Sequence, residues 1–399
     1  MSRFKIQPRG GPYALLVLLL VACGPAANPS TSVPAAAPAA SKPVAGAAPA
    51  PAGITSDQAA APEGWDQLVV AAKQEGRLVF SGPPGELWRK GLAEAFQAQY
   101  PEINVDYDGG NSRDFWPRVF QERQGGQYLW DLRVGGPDPQ VYQARDEGVL
   151  AAVKPLLVLP EVTDDSRWFG GFDAIFADKE HTYLPGFEAF VDTAVWLNKD
   201  VVPPAQFHRD LDILNPQWKG KIVLQDPRGG AGLGLTTVLY VKHGEQFIRD
   251  LFSQQDIVVT GDGRQQAEWV VRGRYPIAIG LNNDVLALLE QSGVKANVDS
   301  VEEGAWGMSI GFGGIQLLNR APNPNAAKLY VNWLLTQPAQ AQLAELVRAN
   351  SRRTDVPAID PSRAVDASRL PEYVPHQLEE YLAPRQQVQE LARELLKSQ

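Results

Sequence analysis

The sequence predicts an α/β protein of two lobes, each a mixed sheet flanked by helices, hinged as a clamshell with a ligand site between them. Three observations predict it. From Trp65 onward, apolar strand-like runs alternate with segments of helical period. Short Gly- and Pro-rich turns separate them. Twice the alternation gives way to a long extended stretch, YLPGFEAFVDTAVWLN (183–198) and GAWGMSIGFGGIQLLN (304–319), able to carry the chain between lobes.

The first residues read as a targeting segment. Arg3, Lys5 and Arg9 precede the run ALLVLLLVA, which falls short of the roughly 20 apolar residues a membrane-spanning helix needs. It ends in Leu20-Val21-Ala22-Cys23-Gly24, which resembles the lipobox of bacterial lipoproteins. That resemblance implies a signal peptide over 1–22 and lipidation of Cys23; the alternative is ordinary secretory cleavage beside an incidental cysteine. Cys23 is the only cysteine, so no internal disulfide or thiolate metal cluster forms. Residues 23–62 are almost all Pro, Ala, Ser and Gly. Such a composition buries no core and acts as a tether, reaching on the order of 100 Å at most.

Lobe 1 begins within 63–180. LVVAAKQEG is a helix stopped by Gly76, and RLVFSG the first strand. After GPPG, ELWRKGLAEAFQAQY carries apolar residues at helical spacing (Leu87, Leu92, Phe96, Tyr100) until Pro101. INVDYDGG is the second strand, and FWPRVFQERQGG a helix with Pro117 near its start. DLRVGG and PQVYQARDEGVL supply the third strand and helix. Lobe 2, with the hinge crossings, spans 181–300: after a turn at 199–204 come KIVLQDP, a helix from about Gly232, FIRDLFSQQ, IVVT, GRQQAEWVVRG, YPIAIGLN and NDVLALLEQSG. Residues 301–354 return to lobe 1 and close it with NAAKLYVNWLLTQPAQAQLAELV. A tail, 355–399, ends in the amphipathic LEEYLAPRQQVQELARELL. The net charge is −9, and more negative without Arg3, Lys5 and Arg9, which argues against nucleic acid or an anionic membrane surface as partner.

This order of segments resembles the extracellular solute-binding proteins of ABC importers, in the group (family 1) that includes ferric-iron, thiamine, phosphonate and polyamine binders. The residues that carry it are LVFSGPPGELWRKGLAEAFQAQYPEINVDYDGG, WDLRVGG, AVWLNKDVVP, NPQWKGKIVLQDPRGG and VVRGRYPIAIG. The resemblance implies a type II periplasmic-binding fold and a monomer that captures a small solute. It also implies delivery to an ABC permease and its ATPase at a periplasmic or cell-surface location. A binding protein that signals occupancy to a receptor is the alternative. No cofactor is expected.

Ligands of open α/β sheets bind beyond the carboxyl ends of strands. In lobe 1 that selects Gly82 and Pro83, then Gly110, Asn111 and Arg113, then Gly136. In lobe 2 it selects Arg228, Gly229 and Gly230, then Arg264, then Asn282, Asn283 and Asp284. Glycines expose backbone N–H groups, helix starts favour anions, and arginines grip oxyanions bidentately. The alternatives are a glycine turn needed only for packing, solvated arginines, and Asp284 as a helix cap. The loop QDPRGGAGLG lacks the Lys-Ser/Thr of a P-loop, and its spacing misses G-x-G-x-x-G. Trp306 and Tyr183 are cleft walls or core.

Ferric binders of the family carry adjacent tyrosines where this chain has Asn282-Asn283-Asp284, and no Tyr-Tyr pair occurs anywhere. His181, His208, His243 and His376 lack ligand spacing, so no metal site is expected and an organic anion fits better than bare iron. Ferric iron or an iron chelate remains the alternative. Gly307-Met308-Ser309-Ile310-Gly311 matches G-x-S-x-G, but extended chain follows it, so no enzyme is expected.

Overall fold

A computed structural model describes residues 64–396 apart from 282 and 296, with the backbone alone at 283, 284, 287 and 291. The expected signal segment, Cys23, the tether and Asn282 lie outside the described residues.

Lobe 1 is built on α1 (Trp65–Glu75), β1 (Arg77–Gly82), α2 (Glu86–Arg89), α3 (Ala95–Gln99), β2 (Asn104–Gly109), α4 (Ser112–Gln124), β3 (Leu132–Val134), α5 (Pro139–Asp146) and a short α6 (Pro160–Thr163). The hinge ribbon and lobe 2 follow: β4 (Phe190–Thr193), β5 (Val195–Asn198), β6 (Ile222–Gln225), α7 (Gly230–Gln254), β7 (Val258–Thr260), α8 (Gly263–Val271), β8 (Ile277–Ile279), α9 (Asn283–Gln291) and β9 (Val298–Ser300). Strands β10 (Trp306–Ser309) and β11 (Ile315–Leu317), helices α10 (Pro324–Leu334) and α11 (Gln337–Val347), and finally α12 (Leu382–Leu396) complete the chain.

Each lobe holds one sheet. The first has the order β11-β3-β1-β2, with β1 parallel to both neighbours and β11 antiparallel to β3. The second has the order β7-β6-β8-β5-β9, parallel around β6 and antiparallel around β5. Leu78, Phe80, Leu132 and Ile315 are fully buried in one core, and Ile222, Leu224, Ile277 and Ile279 in the other. Strands buried on both faces read as continuous apolar runs, which is why they stood out. The extended stretches meet as an antiparallel pair, β4 against β10. Ala194 breaks the first stretch, and β5 continues into the lobe 2 sheet.

Three details depart from the expected elements. The helix after β1 is interrupted by a π turn at Lys90–Glu94, where Gly91 lies under Leu343. Helix α4 begins at Ser112, so Pro117 sits inside it. Helix α7 begins at Gly230 and runs through FIRDLFSQ, bent at Gly244, whose φ of 84° is left-handed.

Asp131 ties the first sheet to α10. Its carboxylate accepts from Val79 N (2.7 Å), Asn323 N (2.7 Å) and Asn323 Nδ2 (2.9 Å). Burial pushes its carboxyl up to about 6, against the pull of those hydrogen bonds. Asp131→Ala leaves two part-buried backbone N–H groups, of Val79 and Asn323, without their acceptor, and the expected loss is about 3 kcal/mol in urea unfolding.

The tail is docked, not free. Val374 exchanges backbone hydrogen bonds with the β10 chain (Met308 N to Val374 O and Val374 N to Trp306 O, each 2.9 Å). Val388, Leu391 and Ala392 of α12 are buried, and α12 packs on α7. Glu379 accepts two hydrogen bonds from Arg145 of α5 (2.5 and 2.7 Å). Two hydrogen bonds of 2.8 Å join Arg363 to Asp192 of β4.

Candidate functional site

The carboxyl ends of the strands of both lobes face one chamber of about 400 Å³. Lobe 1 contributes Pro83 and Pro84 after β1, Gly110, Asn111 and Ser112 after β2, and the turn 135–138 after β3. Lobe 2 contributes Gly230, Ala231 and Gly234 from the first turns of α7, with Leu281 after β8. The ribbon supplies Ser309, Gly311 and Asp192, and the tail His376, Gln377 and Arg385. A second chamber of about 1010 Å³ shares Ser309, Gly311, Phe312 and Arg363 with it, and is walled by Trp88, Trp196, Trp306 and Leu288.

Arg133, at the centre of β3, lines the first chamber as a buried cation. It is 4% exposed. Its Nη1 donates to Ser81 Oγ (2.6 Å), its Nη2 to Gly110 O (3.1 Å), and its guanidinium lies 4.9 Å from the Phe115 ring centre. These partners are neutral. Burial lowers its pKa to about 10, opposed chiefly by Asp138, so it stays charged at neutral pH. Asp138 is committed elsewhere: it caps α5 through Gln140 N (2.8 Å) and Val141 N (3.1 Å), and accepts from Ser112 Oγ. Arg133 therefore keeps a buried positive charge turned toward empty volume.

His376 is 8% exposed, and burial with the charge of Arg385 lowers its pKa to about 3. It is neutral at physiological pH, and its Nδ1 is buried with no hydrogen-bond partner. Its ring fits against Gly234, where a Cβ would stand 2.7 Å from Cε1.

The expected site residues separate into those that line the chamber and those that do not. Pro83, Gly110, Asn111, Gly136 and Gly230 line it. Gly82 is covered by the Tyr107 ring, and a Cβ there would stand 2.7 Å from it. Arg113 is exposed at the start of α4, and its Nη2 approaches Gly229 of the opposite lobe. Arg228 is folded onto Asp226 (Nε to Oδ1 2.9 Å, Nη2 to Oδ2 2.6 Å), which raises its pKa and lowers that of Asp226. Arg264 pairs with Glu268 at 3.3 Å on the exposed face of α8. Neither reaches the chamber wall. Asn283 opens α9 and Asp284 follows it there. Trp306 lines the second chamber, whereas Tyr183 packs against the core around Phe115 and Trp116.

Sequence reading missed Arg133, His376, Gln377 and Arg385. Arg133 left a signal, a lone cation between Leu132 and Val134 just before Gly135-Gly136. The tail residues left none, because only packing brings them to the cleft. Ser309 donates to Gln377 Oε1 (2.8 Å) and accepts from Gly311 N (3.0 Å), and the chain runs on into β11. That is a hinge strand, not the strand–turn–helix of a nucleophile elbow. Among the described residues no group of three or more His, Cys, Asp and Glu side chains is placed to hold a metal ion. No described helix is long and apolar enough to cross a membrane.

Residues 81–341 match the model of the bacterial extracellular solute-binding proteins. The chain belongs to this family. Its members bind solutes for ABC importers and are not enzymes. Iron uptake protein A1 of a Synechocystis strain is 22% identical over 277 residues, covering 65% of this chain and 70% of that protein. The fold matches the ferric iron-binding protein A of Mannheimia haemolytica in an open conformation (TM-score 0.61, 16% identity, 80% of this chain, 98% of that one). It also matches a Trichodesmium protein in complex with iron and citrate (0.60, 16%, 80% and 99%). A third match is AfuA of Actinobacillus pleuropneumoniae with bound fructose-6-phosphate (0.54, 20%, 81% and 99%). These likenesses establish the two-lobed type II periplasmic-binding fold.

Proposed function

We propose that this solute-binding protein captures a small organic anion or oxyanion-bearing solute in the first chamber and presents it, lobes closed, to an ABC permease and its ATPase. The observation that carries the reading is Arg133, a buried cation whose hydrogen-bond partners are all neutral and whose chamber also holds the amino-terminal end of α7. A buried charge with no carboxylate in direct contact is costly, and an anion arriving from solvent relieves that cost. The helix start adds backbone N–H groups and a favourable dipole. The second chamber has room for the remainder of the solute against Trp88, Trp196 and Trp306. Lipidation of Cys23 and a tether over 23–62 would hold the monomer at the outer face of a membrane, which radiolabelled fatty-acid incorporation into wild type against Cys23→Ser tests.

Iron carried as an anionic chelate is the second reading. It is favoured by the iron uptake relative and by the neighbour that holds iron together with citrate. Titration calorimetry with inorganic phosphate, a sugar phosphate, citrate, ferric citrate and chelator-free ferric ion separates the two. Binding of a phosphate or carboxylate without iron supports the first; heat with ferric citrate alone supports the second. In either case Arg133→Gln is expected to weaken the anion at least tenfold, with the melting temperature lowered by only a few degrees. Tight binding of chelator-free ferric ion, indifferent to Arg133→Gln, would sink both.

A further inference from the structure

Residues beyond 341 lie outside the stretch that matches the family model, yet Arg363, His376, Gln377 and Arg385 from that part of the chain line the first chamber, Arg363 already paired with Asp192. Gln377 accepts from Ser309 Oγ (2.8 Å) and Ile310 N (2.6 Å), and a Cβ on Gly136 would stand 3.2 Å from its Nε2. His376 fills the space left by Gly234 with an unpartnered Nδ1. Arg385, in the first turn of α12, has Nε and Nη1 buried with no hydrogen-bond partner. Among the described residues no carboxylate lies in ion-pair contact with it. Asp138, the carboxylate whose field reaches both Arg385 and Arg133, is spent on the cap of α5.

We infer that residues 374–385 form a third wall of the solute site, and that Arg385 is a second cation holding the anionic head of the solute alongside Arg133. The inference rests on the reading of the cleft as an anion site and assigns part of that site to the tail. Three features support it. Arg385 lines the chamber while two of its guanidinium nitrogens are buried and unpaired, an arrangement that lacks an acceptor and that an anion would supply. His376 is neutral, so it adds a hydrogen-bonding edge and no charge. The tail is anchored on both lobes, through Glu379 to Arg145 of α5 and through α12 to α7. A solute bridging Arg133 and Arg385 would therefore tighten the tail across the cleft.

The test uses the full chain as wild type, Arg385→Gln, Arg385→Lys and, as a control on the exposed face of the same helix, Arg393→Gln. Inorganic phosphate, a sugar phosphate, citrate and ferric citrate are titrated calorimetrically into each. The expected result is at least a tenfold weaker dissociation constant in Arg385→Gln for whichever of these anions binds wild type. Arg385→Lys should recover part of the loss, and Arg393→Gln should match wild type. Amide hydrogen exchange on wild type should slow across 374–396 when that anion is added, a readout independent of how well a variant folds. Unchanged affinity in Arg385→Gln beside a loss in Arg133→Gln would overturn the inference and leave the anion site standing, as would unchanged exchange in the tail. If wild type takes up none of the four probes, the anion reading fails and this inference with it.

Discussion

Gly232→Ala is expected to lower the unfolding free energy by about 3 kcal/mol, read as a fall in the urea midpoint at constant slope. Gly232 sits in the first turn of α7, and a Cβ there would stand 2.4 Å from the carbonyl oxygens of both Gln225 and Asp226. Both contacts are backbone, so no side chain can swing aside. The helix start must move off the end of β6, and Gly230 and Ala231 move with it. Anion affinity should fall together with stability. Gly110→Ala is the matching control: that glycine also lines the chamber, but a Cβ there meets nothing within 4 Å and the backbone is not left-handed. It should stay within about 0.5 kcal/mol of wild type.

Glu188→Gln is expected to make the protein more stable than wild type at pH 8 and to leave the two close near pH 4.5. Glu188 is 3% exposed beneath the turn 311–313. Its Oε2 accepts from Phe312 N (3.1 Å), and its Oε1 is buried without a partner. Burial pushes its carboxyl up to about 8, against the pull of the Phe312 and Gly313 N–H groups and of Arg363. A folded-state pKa raised above the ordinary 4.5 means the folded protein holds this proton more tightly than the unfolded chain. Its contribution to stability is complete below pH 4.5 and is lost as pH rises through 8. The amide cannot ionise and escapes that loss, a difference of about 4 kcal/mol at pH 8. Asp131 biases stability in the same direction and His376 in the opposite one below pH 6.5, so the difference between wild type and Glu188→Gln isolates Glu188. Parallel stability profiles for the two proteins from pH 4.5 to 8 would show that Glu188 is charged in the folded state.

The elements were legible where burial leaves a pattern. KIVLQ and YPIAI read as strands because both faces of β6 and β8 are covered, and DLRV gave β3 for the same reason. The loops at the strand ends were legible because glycine marks the close approach of backbone. What each polar side chain does there was much less so. Arg228 follows Asp226 by two residues, and that spacing lets the carboxylate take both its backbone N–H and its guanidinium. Arg264 finds Glu268 one helical turn along. Each local acid claims the cation that a count of arginines near strand ends assigned to the ligand. Arg133 escapes because no carboxylate within its reach is free.

By itself the sequence determined two α/β lobes, the two crossings between them, and the glycine loops at the strand ends. Those follow from local chemistry: apolar period, helix stops and glycine turns act over a few residues and are written where they act. The tertiary structure alone decided which cations remain unpaired and that the tail closes the chamber. Gly234 and His376 are far apart in the chain and carry no shared pattern. They meet because α12 buries Val388 and Leu391 on α7 and the tail pairs with β10, which draws residues 374–385 across the cleft. Pairing of charges and docking of segments are sums over long-range contacts, and such sums exist only once the chain has folded.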